Sequence, residues 1–135
     1  MIKSWSKAQT VVVLSSGKAE YYGMVKGASE ALGLQAMLKD FDINCSITVK
    51  SDASAAVSIA NRRGFGKVRH IEVCQLWLQD KVRRGDIKIV KVGTHENLAD
   101  ALTKYVCCDG IRMHMKYTNQ YLLSGRHDLA PATEC

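Results

Sequence analysis

The chain has 135 residues, 47% of them apolar and 24% charged, an ordinary globular balance; that length supports one hydrophobic core without staples. No stretch approaches the roughly 18 consecutive apolar residues that cross a bilayer, and positions 1–10 (MIKSWSKAQT) lack the apolar run of a secretory leader, so the expectation is a soluble, intracellular protein with no membrane partner. Five cysteines follow no paired C-x-x-C spacing, which excludes a zinc site of that kind, and the net charge of +6 points toward polyanions.

Val11-Val12-Val13-Leu14, closed by Ser15-Ser16-Gly17, predicts a short strand. Tyr21, Val25, Ala28 and Leu32 recur at three- and four-residue steps, which predicts a helix over Lys18 to Lys39 with Ser16 as its N-cap. Phe41 to Asn44 turns the chain, and Ile47-Thr48-Val49-Lys50-Ser51 alternates apolar with polar as a second strand does. Asp52 then opens an alanine-rich helix to about Arg62, broken by Gly64-Phe65-Gly66. One further helix is expected from Val68 to Arg84, with Ile71, Cys74, Leu78 and Val82 on one stripe and Gly85 as a cap free to take positive φ. Ile87 to Val92 predicts a third strand, and Asn97 opens a short helix to about Tyr105. Beyond a loop at 107–110, a weakly patterned helix is expected from Ile111 to Leu123, then a tail without fixed structure over 125–135. Strands alternating with helices in this order imply an α/β sheet with helical cover.

The charge is focused. Nine basic residues lie between Arg62 and Lys91 against Glu72, Asp80 and Asp86, so this segment holds the whole surplus. A polyanion partner suits such focusing, because each phosphate neutralised releases condensed counterions. A solvated helix face that only aids solubility explains it equally well.

Three carboxylates fall where chemistry collects in an open α/β sheet, near one end of neighbouring strands. Glu20 lies just after the first strand, Asp52 where the second strand meets its helix, and Asp100 at the start of the helix after the third. Converging there, they could hold divalent metal through hard oxygens, as in nucleases whose two ions stand about 3.5–4 Å apart. Each also has a purely structural reading: Glu20 and Asp100 favour a helix N-terminus, and Asp52 is an adequate N-cap.

The flanking residues carry a family resemblance. Ser15-Ser16-Gly17-Lys18-Ala19-Glu20-Tyr21, Ser51-Asp52-Ala53-Ser54-Ala55-Ala56, Arg69-His70-Ile71-Glu72 and Asn97-Leu98-Ala99-Asp100-Ala101-Leu102-Thr103-Lys104 occur in order, after Ser4-Trp5-Ser6-Lys7. Together they resemble the ribonuclease H domain of copia-type retrotransposon Pol polyproteins.

That resemblance implies a mixed sheet with flanking helices, of about three strands and four to five helices, over residues 1–106, with 107–135 as an extension. Such domains hold two magnesium ions with four carboxylates and cut the RNA strand of an RNA–DNA hybrid. Glu20, Asp52 and Asp100 match the second, third and fourth of these. The first, an aspartate in the opening strand, has no counterpart, since none of Met1, Ile2 and Lys3 is acidic. The expectation is therefore a domain truncated at its N-terminus, without the first hairpin, holding at most one Mg2+ and impaired in hydrolysis. Its natural neighbour would be an upstream reverse transcriptase segment. His95, five residues before Asp100, matches the mobile histidine of many ribonucleases H, though closer to the aspartate than in the cellular enzymes. Arg62, Arg63, Lys67, Arg69, Arg83 and Arg84 are the expected backbone contacts, which fix register without reading sequence, while the hybrid is recognised by shape and ribose hydroxyls. The competing expectations are an inactive retroelement remnant that binds nucleic acid without cleaving it, and an interaction module that binds a protein partner.

Overall fold

The computed structural model describes residues 4–6, 15–64, 66, 71–102 and 104–121. The strand expected at Val11–Leu14 and the tail after residue 121 lie outside the described residues. The chain divides into two compact units, Lys7–Asn97, and Leu98–Cys135 together with Met1–Ser6.

In the first unit, α1 (Ser16–Lys39) forms where the three- and four-residue apolar repeat sets Tyr21, Met24, Val25 and Ala28 on one buried face. It starts earlier than expected: Ser15, not Ser16, is the N-cap, and its carbonyl accepts from the N–H groups of Lys18 and Ala19. At the far end Asp42 takes a left-handed φ of 60°, and Ile43 N–H closes back on the Leu38 carbonyl at 3.0 Å. That is the position glycine usually fills.

β1 (Ile47–Ser51) pairs in parallel with β2 (Ile87–Lys91), Ile47 opposite Ile87 and Ser51 opposite Lys91. Alternation sends Ile47 and Ile87 into the core with Val49 and Ile89 beside them, and leaves Thr48, Lys50 and Lys88 exposed on the other face. β2 ends one residue before the expected Val92. The ladder nevertheless reaches beyond it, because Val92 N–H donates to the Ser51 carbonyl at 3.0 Å.

α2 (Ser54–Asn61) follows β1 and buries Ala56, Ile59 and Ala60. Asp52 does not cap it. Ala53 N–H turns back to Ser51 Oγ at 3.2 Å, so Ala53 becomes the N-cap and Asp52 is left in the bend before the helix. α1 and α2 meet closely: a Cβ built on Gly17 would stand 2.7 Å from Ala55 Cβ.

The single helix expected over 68–84 is not formed. Residues 67–70 lie outside the described set, Glu72 is extended, Val73–Gln75 make one 3-10 turn, and α3 runs only over Trp77–Arg84. The interruption has a partner-based cause. Tyr21 OH donates to the Gln75 carbonyl at 2.8 Å, while Gln79 N–H pairs with Leu76 instead. Cys74 is therefore exposed, off the stripe on which Leu78 is fully buried. Gly85 ends α3 at φ 81°, as expected, with its own N–H on the Val82 carbonyl and Asp86 N–H on that of Lys81.

Buried Gln79 fastens the connection after α2. Its Nε2 donates to the carbonyls of Ile59 (2.9 Å) and Gly64 (3.1 Å), and its Oε1 accepts from Gly64 N–H at 2.8 Å. Every hydrogen-bonding site it uses meets a backbone group, which is what allows an amide inside a core.

In the second unit the segment expected as a helix over 97–105 is a 3-10 turn, Leu98–Leu102. α4 spans Cys108–Tyr117, so it starts inside the expected loop and stops short of Leu123. His114 Nδ1 donates to the Leu98 carbonyl at 3.1 Å and holds α4 to that turn. Asn119, at φ 52°, closes the helix by directing Gln120 N–H to the Met115 carbonyl at 2.9 Å.

Candidate active site

Of the candidate residues, Asp52 and His95 flank the carboxyl ends of the parallel pair. Asp52 stands immediately after the last residue of β1, half-buried, beyond the final ladder bond. On the β2 side the chain leaves through Gly93 and a 3-10 turn, Thr94–Glu96, which delivers Asn97. Asn97 Nδ2 donates to Asp52 Oδ1 at 3.1 Å, a bond that joins the ends of the two strands across 45 positions of sequence. Among the described residues Asp52 Oδ2 accepts no hydrogen bond.

Sequence reasoning read Asn97 only as a helix opening. The signal was present, because Asn97 begins the same Asn-Leu-Ala-Asp box that contains Asp100. Its partner is set by the parallel pairing of β1 and β2, which no local pattern reveals.

Glu20 is exposed on the first turns of α1. The tyrosines after it secure that part of the helix: Tyr21 is fully buried and bound to Gln75, and Tyr22 OH accepts from Glu72 N–H at 3.3 Å. Burial pushes the Tyr21 phenol up to about 12, against the opposing pull of the Arg62 charge. Lys18, itself buried, lies over the Tyr22 ring at 5.5 Å. His95 is exposed within the Thr94–Glu96 turn.

Asp100 lies in the second unit, where Lys104 Nζ pairs with its Oδ2 at 2.9 Å. Its side chain is 20% exposed. This contact follows from the 3-10 turn and the Lys104 N–H bond to the Asp100 carbonyl at 2.8 Å.

The basic residues separate by environment. Arg62 points inward: its Nε and Nη2 are buried without a hydrogen-bond partner among the described residues, and its guanidinium packs against Gly66. Arg83 pairs with Asp80 at 2.7 Å on the exposed face of α3. Arg63 and Arg84 are exposed. Lys67 and Arg69 lie outside the described residues.

Among the described residues no group of three or more His, Cys, Asp and Glu side chains is placed to hold a metal ion. Magnesium, however, keeps several waters and takes one or two protein carboxylates together with substrate phosphates, not a full protein cage. Asp52 fits that manner of binding: a half-buried hard-oxygen donor, one oxygen fixed by an amide and the other open. The fit is for a single ion at this carboxylate.

No helix among the described residues is long and apolar enough to cross a membrane. No family model matches the chain, and no solved structure matches it. The sequence is 32% identical over 106 residues to the retrovirus-related Pol polyprotein from transposon TNT 1-94 of Nicotiana tabacum, covering 76% of this chain and 8% of that protein. It is 32% and 31% identical over 105 residues to the retrovirus-related Pol polyproteins from transposons RE2 and RE1 of Arabidopsis thaliana, covering 75% of this chain and 7% of each. Over about three quarters of its length the chain is therefore similar to plant retrotransposon Pol polyproteins, of which it spans 7–8%.

Proposed function

We propose that this chain is a ribonuclease H-like segment of a copia-type retrotransposon Pol polyprotein, one that engages RNA–DNA hybrids at the carboxyl ends of β1 and β2. The observation that carries the reading is Asp52, held by Asn97 just past the last ladder bond of a parallel strand pair. That is where open α/β sheets place their ligands. The likeness to Pol polyproteins supports the polyprotein part of the reading.

Asp52 would hold a single Mg2+ through its open carboxylate oxygen. When bound, the ion supplies activation of a water and charge for the leaving oxygen. The chain's own residues perform the rest. Asn97 orients Asp52, and His95 on the neighbouring turn is the group available for proton transfer. Exposed Arg63 and Arg84 provide positive charge for the sugar-phosphate backbone.

A second reading, hybrid binding without cleavage, is favoured by one specific observation, the lack of a three-ligand group among the described residues. In sequence, the chain also carries three of the four carboxylates the family uses. We therefore expect the 135-residue chain to bind hybrid in a salt-sensitive way and to cleave it weakly or not at all.

The test combines two assays on the purified chain. Anisotropy of a labelled hybrid, over a series of salt concentrations, should give affinity falling linearly on a log–log plot. Gel analysis with Mg2+, and with a chelator as control, measures cleavage. Absence of any hybrid binding at low salt sinks the proposal. Strong Mg2+-dependent cleavage abolished by Asp52→Asn would reject the non-cleaving reading in favour of the active one.

A further inference from the structure

We infer that Asn97 is a positioning residue for Asp52, an amide clamp that presets one carboxylate oxygen so that the other faces a divalent cation. The inference rests on the reading of Asp52 as a cation ligand. It gives a role to a residue that the sequence marked only as the start of a helix and of the Asn-Leu-Ala-Asp box.

Three observations support it. The contact is a side-chain to side-chain hydrogen bond at 3.1 Å between half-buried residues 45 positions apart, which no local propensity produces. Asp52 is not the cap of α2, because Ala53 takes that place. The bond also falls where the sheet ends: Val92 N–H to the Ser51 carbonyl is the last backbone link between the two strands, and Asn97–Asp52 continues it through side chains. A carboxylate in a bend after a strand would otherwise sample several rotamers. An amide donor on Oδ1 selects one and directs the open lone pairs of Oδ2 away from the clamp. Partners of this kind orient ligating carboxylates, and their removal typically weakens metal binding by about 10–100-fold. Because Asn97 directly follows the Thr94–Glu96 turn, the same bond holds His95's turn to the end of β1.

The experiment titrates the full chain with Mn2+ alone and follows paramagnetic broadening of the Asp52 and Ala53 amide signals by NMR. The variants are Asn97→Ala and the nearly isosteric Asn97→Leu, with Asn61→Ala as control, since Asn61 makes only a local bond to the Val57 carbonyl. The Asp52 Hα–Hβ couplings are measured in each. The inference expects both Asn97 variants to need about tenfold more Mn2+ for equal broadening. It also expects Asp52 couplings that shift from one rotamer toward an average, with both Asn97 variants still folded and Asn61→Ala like the parent. Unchanged Mn2+ affinity and a single Asp52 rotamer in either folded Asn97 variant would overturn the inference and leave the proposed function standing. No broadening at Asp52 in the parent chain would overturn the reading of Asp52 as a cation ligand, and the inference with it.

Discussion

Replacing Gln79 tests how the connection after α2 is held, and the structure allows its size to be worked out. The residue is 8% exposed, and its side chain makes three hydrogen bonds, to the Ile59 carbonyl, the Gly64 carbonyl and Gly64 N–H. Gln79→Met keeps nearly the same volume and helix propensity while removing all three. Each bond contributes about 1 kcal/mol net, and the groups left behind are partly buried, so the loss is about 3 kcal/mol. That is a large share of the roughly 5–15 kcal/mol by which a domain is stable. Urea unfolding, followed by Trp77 fluorescence in a Trp5→Phe background, reports on the Lys7–Asn97 unit. With a slope of about 1–2 kcal/mol per M, the midpoint should fall by about 1.5–3 M. Gln79→Glu should be at least as damaging, because it places a carboxylate against two carbonyl oxygens. If Gln79→Met costs less than about 0.5 kcal/mol, the amide is not what fastens the loop, and the reasoning from hydrogen-bond satisfaction is wrong.

Gly85→Ala should destabilise by about 1 kcal/mol through its left-handed backbone alone, since nothing within 4 Å would meet the added methyl; urea midpoints check this. Gly17→Ala should lower the thermal midpoint by crowding Ala55, and Ala55→Gly added to it should recover part of the loss, a coupling read from a double-mutant cycle. Asn119→Gly should stabilise the end of α4 slightly, by a few tenths of a kcal/mol, measured by helical circular dichroism against temperature. Burial pushes the Tyr21 phenol from 10 up to about 12 in the folded chain, so its contribution to stability is constant below about pH 10 and is lost as pH rises from 10 toward 12. Thermal midpoints in Tyr21→Phe should lose that part of the alkaline decline, and an identical decline would contradict the assignment.

The elements legible in the sequence were those whose cause is local. The apolar repeat through Tyr21, Val25 and Ala28 marked α1, the alternation in Ile47–Ser51 marked β1, and Gly85 marked the end of α3. What failed depended on partners remote in sequence. Ile71, Cys74 and Leu78 are spaced as a helix would have them, but Tyr21 takes the Gln75 carbonyl and α3 starts only at Trp77. Asp52 looked like an N-cap until Ser51 Oγ met Ala53 N–H, and nothing in the local pattern singled out Gln79, whose partners are Ile59 and Gly64. The candidate site was half legible for the same reason. Asp52 stood out as a carboxylate after a strand, whereas Asn97 mattered only once β1 and β2 were paired. Arg62 shows the converse: a basic residue in a basic segment whose Nε and Nη2 turn out to be buried.

The central claim is that nucleic acid is engaged at the carboxyl ends of β1 and β2, beside Asp52. An amide NMR titration of the chain with a short RNA–DNA hybrid at low salt maps the surface directly. The largest shifts are expected at Asp52, Ala53, Val92 and Asn97. Shifts confined to the opposite end of α1, around Met37, Phe41 and Ile43, or none at saturating hybrid, would contradict it.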